Sequence, residues 1–506
     1  MANILATLGN SAGALDAYQK VLAVTQNNVA NASTPGYARQ SMALEAMPMD
    51  QALGMSGGVR TGRVESARDE YAEQAVRRQT VVLGQAQQNV NSLTALQNQF
   101  DVTGTSGISS TLNALFQSFS AWGQSPFSQV ARQSVIDHAT AVADAFGQAA
   151  TGLEKLTVDT ESQLQQTVGQ VNQLVTKLQG YNQQIFNGNR NDPGIDTQIH
   201  STLDQLSQYV DFTATWQDNG SVSVLLNSET PLLVGDKSYP LSYSLQGPAS
   251  DATYPDAPPS AHIFGADGRD ITSKTTSGQL GALLNVHNTV LPSYLGDATH
   301  AGDLNTMAEQ FANRVNQILT SGFTTDASDG TDGSMPQAGV PLFQYATTTA
   351  ADGSMVAQHT RVAKTLRIDA NVTSDQLGAI SGTPTDSATQ PVTLTNEISN
   401  GIPLALSNLS NPTDSADMVN GTTSFSSWYG GLAARVGTAL NNATDQLQIQ
   451  QSTVAQAKDL RDQISGVSLD QEAMVMIQFQ RAYDANSKLI TILDQLTQDA
   501  INILRT

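Results

Sequence analysis

The stretch LDQEAMVMIQFQRAYDANSKLITILDQLTQDAINIL, from Leu469 to Leu504, decides how the chain is read. Leu469, Met476, Tyr483, Ile490, Thr497 and Leu504 recur every seventh residue. Glu472, Phe479, Asn486, Leu493 and Ala500 follow three further on in each heptad, and a flanking row adds Val475, Ala482, Leu489, Leu496 and Ile503. These rows predict one long helix with an apolar face wider than a two-stranded seam. Ser468 and Gln471 are spaced as a capping box at its start. Hardly any sequence follows for the face to pack on, so its partner is expected earlier in the chain or on another molecule.

The first helix is the candidate. Residues 3 to about 32 place Leu8, Leu15, Leu22 and Val29 seven apart, with Ile4, Ser11, Tyr18 and Thr25 in the row between. An amphipathic helix on a local core is the plainer reading. The position of both stripes at opposite ends of the sequence favours pairing. The helix must stop at Asn31-Ala32-Ser33-Thr34-Pro35-Gly36-Tyr37, because Pro35 bars Thr34 from the helical region and Gly36 supplies a turn.

Composition narrows the classes. Among 506 residues, 45 acids against 24 bases give a net charge of -21, which disfavours a nucleic-acid partner, since phosphate binding needs clustered Lys and Arg. The absence of cysteine excludes disulfides, thiolate metal sites and cysteine nucleophiles. No apolar run is long enough for a membrane span, and no membrane insertion is expected. The first basic residue is Lys20, so no signal peptide is read. The protein is expected either to stay in the cytosol or to leave by a route without signal cleavage.

Between the ends, helix is expected from about Ala67 to Phe100 and over a short segment carrying Leu112, Leu115, Phe116 and Phe119. Ser125-Pro126 should open the longest helix, to Asn187. Its two heptad runs, Val135 to Leu156 and Leu164 to Ile185, are offset near Thr160, which predicts a bend or rewinding there. About 60 residues at 1.5 Å rise make roughly 90 Å, so a rod is expected. From Phe212 the period changes to two. Phe212–Trp216 and Ser221–Leu226 flank Asp218-Asn219-Gly220, a hairpin signal, and further strands are expected near 231–234, 241–245 and 262–264. Helix returns at 279–295, 303–320 and 425–464, while 322–425 reads as loop and short strand.

The fold class is therefore mainly α with an inserted all-β domain, the helices forming a long antiparallel rod and the terminal helices a coiled coil. Three domains are expected. Residues 1–45 with 466–506 form the terminal coiled coil, disordered before assembly. Residues 46–209 with 276–465 form the helical rod, with an excursion at about 322–425. Residues 210–275 form a small outward β domain.

No chemistry stands out in the sequence. The six histidines lack the spacing of a helical zinc site, and no phosphate loop or GxSxG elbow occurs. Asp326, Asp329 and Asp332 are spaced wrongly for a calcium loop and read as a solvated turn. No catalytic residue, cofactor or metal is expected.

Three regions together carry a resemblance. Asn27-Asn28-Val29-Ala30-Asn31-Ala32-Ser33-Thr34-Pro35-Gly36-Tyr37 resembles the signature of bacterial flagellar axial proteins. Gly466-Val467-Ser468-Leu469, followed by Phe479-Gln480-Arg481-Ala482-Tyr483, resembles their closing signature, with Gln471 where an acid is usual. Gly278-Gln279-Leu280-Gly281-Ala282-Leu283-Leu284, Leu304-Asn305-Thr306-Met307-Ala308 with Val315-Asn316, and Gly339-Val340-Pro341-Leu342-Phe343 are similar to the hook-associated protein family FlgK. The region 322–425 is short for the large third globular domain of that family.

The resemblance implies a structural, non-enzymatic protein of the layer joining hook to filament. It implies export unfolded through the flagellar type III route to an extracellular flagellum. The partners implied are further copies of the chain, the hook protein below, a second junction protein above and a cytosolic export chaperone on the C-terminal helix. Asn28, Asn31, Pro35, Gly36, Tyr37, Gly466, Val467, Leu469, Gln480 and Tyr483 are the signature residues. Leu8, Leu15, Leu22, Val29, Met476, Phe479, Tyr483, Ile490, Leu493 and Leu504 are the expected assembly interface. The rival readings are a secreted β-domain adhesin on a helical stalk and, among flagellar proteins, the hook protein itself.

Overall fold

A computed structural model describes residues 2–48, 57–100, 107–189, 192–324, 337–349, 355–384 and 394–503. The Asp326, Asp329 and Asp332 turn and Leu504 lie outside them. In chain order the main elements are α1 (Ala2–Asn31), β1 (Gln40–Ala46), β2 (Val59–Ser66), α2 (Glu70–Gln97), α3 (Gly107–Gln124), α4 (Gln129–Phe186) and α5 (Pro193–Leu206). Then come β3 (Phe212–Trp216), β4 (Val222–Leu226), β5 (Thr230–Val234), β6 (Lys237–Ser238), β7 (Ser242–Gln246) and β8 (Ser260–Phe264). The rest is α6 (Gly278–Asn285), a π-turn (Val286–Val290), α7 (Pro292–Leu295), α8 (Asp303–Thr320), α9 (Val362–Thr365), α10 (Gly401–Asn408), α11 (Phe425–Ser465) and α12 (Leu469–Ile503), with three two-stranded ladders between α8 and α10. The fold is mainly α with an inserted antiparallel β region, as expected.

Two compact units result. One comprises Met1–Gly84, Val171–Pro240 and Ile449–Thr506, the other Gln85–Gln170 and Leu241–Gln448. The boundaries at 84/85, 170/171 and 448/449 fall inside α2, α4 and α11.

In the first unit, α1 and α12 pair, and β1 and β2 form an antiparallel hairpin beside α1. The four strands β3-β4-β5-β6 form one meander, with the predicted turn between Trp216 and Val222. Asn182, buried on α4, fixes this sheet. Its amide accepts from Val222 N (3.0 Å) and donates to Val222 O (2.8 Å) and Gly235 O (2.6 Å). Val222, Val224, Leu226, Leu232 and Leu233 supply its buried apolar side chains.

The second unit holds one continuous apolar core. Trp122, Phe119, Phe146, Phe311, Phe425 and Tyr429 are its largest buried side chains. Leu342, Phe343, Val362, Leu366, Leu377, Ile402 and Leu406 join the same core, so the described part of 337–424 is folded onto the helices. Two asparagines of the inner motif tie it there. Asn305 donates to Leu295 O (2.8 Å) and Thr360 O (3.0 Å) and accepts from Ala363 N (2.9 Å). Asn316 donates to Phe343 O (2.8 Å) and accepts from Leu342 N (2.8 Å) and Phe343 N (2.9 Å). A side-chain amide supplies both a donor and an acceptor, so one residue satisfies irregular backbone that no ladder serves. Gly281 belongs to the same motif. A Cβ there would lie 2.3 Å from the Thr276 carbonyl carbon, so only glycine fits.

One expectation needs correction. α4 opens after Ser128, whose Oγ accepts from Ala131 N (3.3 Å); Ser125-Pro126 sits in the preceding turn, where the Pro126 carbonyl accepts from Trp122 Nε1 (3.1 Å). Across the heptad offset at Thr160 the helix is continuous. Thr157 and Thr160 donate to the carbonyls of Leu153 and Leu156, and α4 is one α-helix throughout. β7 and β8 pair with each other, apart from the β3-β4-β5-β6 meander.

Candidate functional site

The site is built where the two ends of the chain meet. α1 cannot continue past Asn31, because Pro35 and Gly36 turn it, Gly36 at φ +78°. A Cβ at Gly36 would sit 3.1 Å from Ser201 N and 3.2 Å from Thr197 O. This turn brings Tyr37 and Gln40 back beside Asn28. Tyr37 Oη donates to Asn28 Oδ1 (2.8 Å), as does Gln40 N (2.9 Å). Asn28 Nδ2 donates to Gln40 O (2.8 Å) and to Glu472 Oε2 (3.0 Å). The buried Asn28 amide thereby fills all four of its hydrogen-bonding positions.

Glu472 is 2% exposed, and its other oxygen forms an ion pair with Arg39 Nε at 3.1 Å. Arg39 N donates to Ser465 O (2.9 Å), and Ser465 Oγ accepts from Asp69 N (3.2 Å). One latch thus joins the end of α1, the β1 strand, the start of α2 and the α11–α12 corner. Burial, with the Glu472 charge adding to it, pushes the Tyr37 hydroxyl above its usual pKa. At the α12 start, Ser468 Oγ lies 3.5 Å from Gln471 N, one half of the expected box.

From the latch the helices run antiparallel. Gln19 Nε2 donates to Tyr483 Oη (3.1 Å), the Tyr18 and Phe479 rings lie 5.8 Å apart, and Asn486 Nδ2 donates to Ser11 O (2.7 Å). On α12, Leu493 is buried and Met476, Phe479, Tyr483 and Ile490 are half-buried on this seam. On α1 the buried positions are Ser11, Ala17, Val21, Thr25 and Asn28. Leu8, Leu15 and Leu22 are half-buried on its flank and Val29 is exposed. The polar row is preferred because α1 has two neighbours, α12 and the β1–β2 hairpin, and a narrow row brings both close.

The closing-signature residues divide in the same way. Gly466 is required, since a Cβ would lie 2.3 Å from Asp462 O, and Val467 is half-buried, while Leu469 and Gln480 are exposed. Asn31 donates to Asn27 O (3.0 Å) and accepts from Thr34 Oγ1 (3.2 Å), and Pro35 is exposed. A second apolar stripe on α12 faces away from α1. It carries Met474, Ile477, Leu489, Ile492, Leu496 and Ile503, with Ile492 54% and Leu496 50% exposed.

Behind the latch lies an ionic network that sequence reading missed. Arg68 pairs with Glu73 (2.5 Å) and Asp196 (3.1 Å) and donates to Gly36 O (2.7 Å). Arg77 pairs with Glu70 (3.1 Å) and Asp204 (3.3 Å), and Arg461 lies 3.5 Å from Asp204 and 3.8 Å from Glu73. Arg77 Nη2 also donates to His200 Nδ1 (2.6 Å), which requires an unprotonated Nδ1 because a guanidinium can only donate. The His200 ring stacks on Trp216 at 4.7 Å. Burial alone would raise Asp196, but His200 and Arg68 outweigh it and hold the carboxyl below its usual range. Burial, aided by Glu73, pushes Asp204 up against the pull of Arg77, Arg461 and His200. For the latch the sequence signal was Glu472, an acid in a heptad core row; the ionic network offered none.

Among the described residues no helix is long and apolar enough to cross a membrane, and no group of three or more His, Cys, Asp or Glu is placed to hold a metal.

The latch joins both ends of the chain, and the terminal helices pair antiparallel. Both ends match models of flagellar rod proteins, and nearly the whole chain is similar to flagellar hook-associated proteins of the FlgK family. The model of the FlgK helical domain matches residues 93–334, that of the flagellar basal body rod FlgEFG protein C-terminal region matches 461–503, and that of flagella basal body rod proteins matches 8–37. Flagellar hook-associated protein 1 of Bacillus subtilis is 27% identical over 527 residues, covering 97% of this chain and 96% of the relative. Its namesake in Escherichia coli is 23% identical, covering 98% and 99%. The flagellar hook junction protein FlgK of Burkholderia pseudomallei has the same fold, with a TM-score of 0.61 at 16% identity, over 77% of this chain and 99% of that one.

Proposed function

We propose that this protein is a structural component of the junction between flagellar hook and filament. The observation that carries the reading is the second apolar stripe of α12. The α1–α12 pair satisfies one face of that helix and leaves Leu489, Ile492 and Leu496 exposed along the other. Further copies of the chain would cover this stripe, each subunit offering one face to the next, and a repeated head-to-tail contact builds a tube. The role is mechanical and needs no reaction.

On this reading the terminal segments 1–45 and 466–506 form the assembling domain and are unfolded until they reach the growing structure. The segments 46–209 and 276–465 set the spacing of subunits, and 210–275 faces outward. The hook protein lies below, a second junction protein above, and an export chaperone holds the C-terminal helix in the cytosol. Export unfolded and without signal cleavage agrees with a chain free of cysteine.

The test is a deletion strain viewed by electron microscopy, with an antibody to this protein on the parent. Hooks without filaments in the mutant, and label confined to the hook–filament boundary in the parent, are expected. Normal filaments in the deletion strain, or label along the whole hook, would overturn the reading, the latter in favour of a hook subunit.

A further inference from the structure

The hairpin β7–β8 carries a chain of three side chains that the mechanical role does not use. Along β8 alternate residues share a face, so Ser260, His262 and Phe264 project together. Ser260 Oγ lies 2.9 Å from His262 Nε2, and His262 Nδ1 lies 2.6 Å from Asp270 Oδ2. The turn after β8, with Gly268 at φ +76°, returns the chain so that Asp270 bridges to Phe264. Asp270 is held from behind. Its second oxygen accepts from Thr272 N (2.8 Å) and Thr272 Oγ1 (2.6 Å), and Thr272 Oγ1 accepts from Ile263 N (2.9 Å). Burial would raise the Asp270 carboxyl, but Thr272 and His262 outweigh it and hold it below its usual range.

One tautomer satisfies every group. Nδ1–H donates to Asp270, and Nε2 accepts from the Ser260 hydroxyl. That is the order nucleophile, base, orienting carboxylate. A polar strand face with ordinary hydrogen bonds is the plain alternative, and one further feature argues against it. Ser260 is one of the residues lining a cavity of about 190 Å³, together with Pro258, Pro259, Leu291, Pro292 and Leu295. An apolar recess beside a base-paired hydroxyl suits a short aliphatic acyl chain.

We propose that Ser260 is a covalent acylation site that takes a short acyl group from an activated carboxylic ester. Ser260 Oγ attacks the carbonyl carbon while His262 Nε2 takes its proton. The bond from the carbonyl carbon to the leaving oxygen then breaks, and the proton on Nε2 passes to that oxygen. Ester and serine become acyl-serine and free alcohol, with no change of oxidation state. Asp270 is a positioning residue that fixes the ring. Ala261 N, the backbone donor that follows Ser260 in the chain, is already held by Asn288 Oδ1 (2.8 Å). Oxyanion donors supply much of the rate in acyl-transfer enzymes, so this site is built for one transfer and slow release.

The test incubates the full-length protein with p-nitrophenyl butyrate, following p-nitrophenolate release and mapping the acyl group by peptide mass spectrometry. A burst approaching one equivalent, with the acyl group on Ser260, is expected. Ser260→Ala should abolish it, and His262→Gln should slow it about 100-fold. Asp270→Asn should slow the burst and alter its pH profile. These side chains lie at the surface, so circular dichroism of the variants checks the fold, and His262→Asn serves if His262→Gln fails it. Acylation spread over many serines, including Ser244 directly opposite His262, would overturn the proposal. So would a Ser260 rate indifferent to both histidine variants.

Discussion

Asn28 and Glu472, 444 positions apart in the chain, share a hydrogen bond of 3.0 Å in a buried setting. It is the point at which the first helix recognises the last. Asn28 reads its own loop through Tyr37 and Gln40 and the other end of the chain through Glu472, so closure of the local turn and docking of α12 reinforce each other.

Glu472→Gln should therefore do more than remove a charge. The new amide presents an N–H₂ either to Asn28 Nδ2 or to Arg39, and both are donors. A loss of about 1–3 kcal/mol in α1–α12 docking is expected, with Asn28→Ala similar and the double variant less than additive. Hydrogen exchange of α1 amides in the assembled flagellum measures it. Tyr37 gives a second reading: without the Glu472 charge its pKa should fall towards 10 but stay above it, because its burial remains. An unchanged phenolate absorbance titration would remove Glu472 from the account.

Seam and stripe should separate by substitution. Leu493→Asp places a charge in the buried α1–α12 seam and should weaken the helix pair itself. Ile492→Asp and Leu496→Asp change residues that are half exposed, so the α1–α12 seam should be spared while incorporation into the flagellum fails. Circular dichroism and a motility assay together check this. Normal motility of the Ile492→Asp strain would mean the stripe is not an assembly surface.

Asparagine takes a structural role that its surface reputation hides. Asn305→Leu would leave Leu295 O, Thr360 O and Ala363 N without their partner. A loss of at least about 2 kcal/mol is expected from orphaned buried groups, and a fall in melting temperature of about 2–4 °C per kcal/mol. Asn411→Leu, at the exposed end of the α10 turn, is the control and should change little.

Periodicity made most of the helical frame legible. The rows at Leu469, Met476 and Glu472 announced α12, and Pro35-Gly36 fixed the end of α1. It did worse with what the helices bury. Of the two α1 rows named from periodicity, Ser11 and Thr25 of the second are buried while Leu8, Leu15 and Leu22 of the first are half-buried, and periodicity did not pick out Asn28 as buried. Asn28, Tyr37 and Gly36 were legible as a motif, but their bonding to Glu472 and Arg39 was not, because nothing local couples positions hundreds of residues apart. The ionic cluster was invisible for the same reason. Arg68, Arg77, Asp196, Asp204 and Arg461 come from four separate segments, and each alone reads as a surface charge.

That cluster makes a prediction in pH. Asp196 has its folded pKa lowered, so its contribution is fully present above the unfolded value of about 3.9 and is lost as pH falls through the folded value. Asp204 has its folded pKa raised. The folded state takes that proton first, so the term favours folding below the unfolded value and is lost as pH rises through the folded one. Asp196→Asn should then cost stability at pH 7, and its deficit should shrink towards zero as the medium is acidified. Asp204→Asn should cost less at pH 7, because removing a carboxylate that resists ionisation offsets part of its lost pairing with Arg77 and Arg461. Denaturant midpoints of the three chains between about pH 3 and about pH 7 decide it. Parallel curves, with the Asp196→Asn deficit constant across the range, would show that the two carboxyls do not carry the opposed shifts their surroundings dictate.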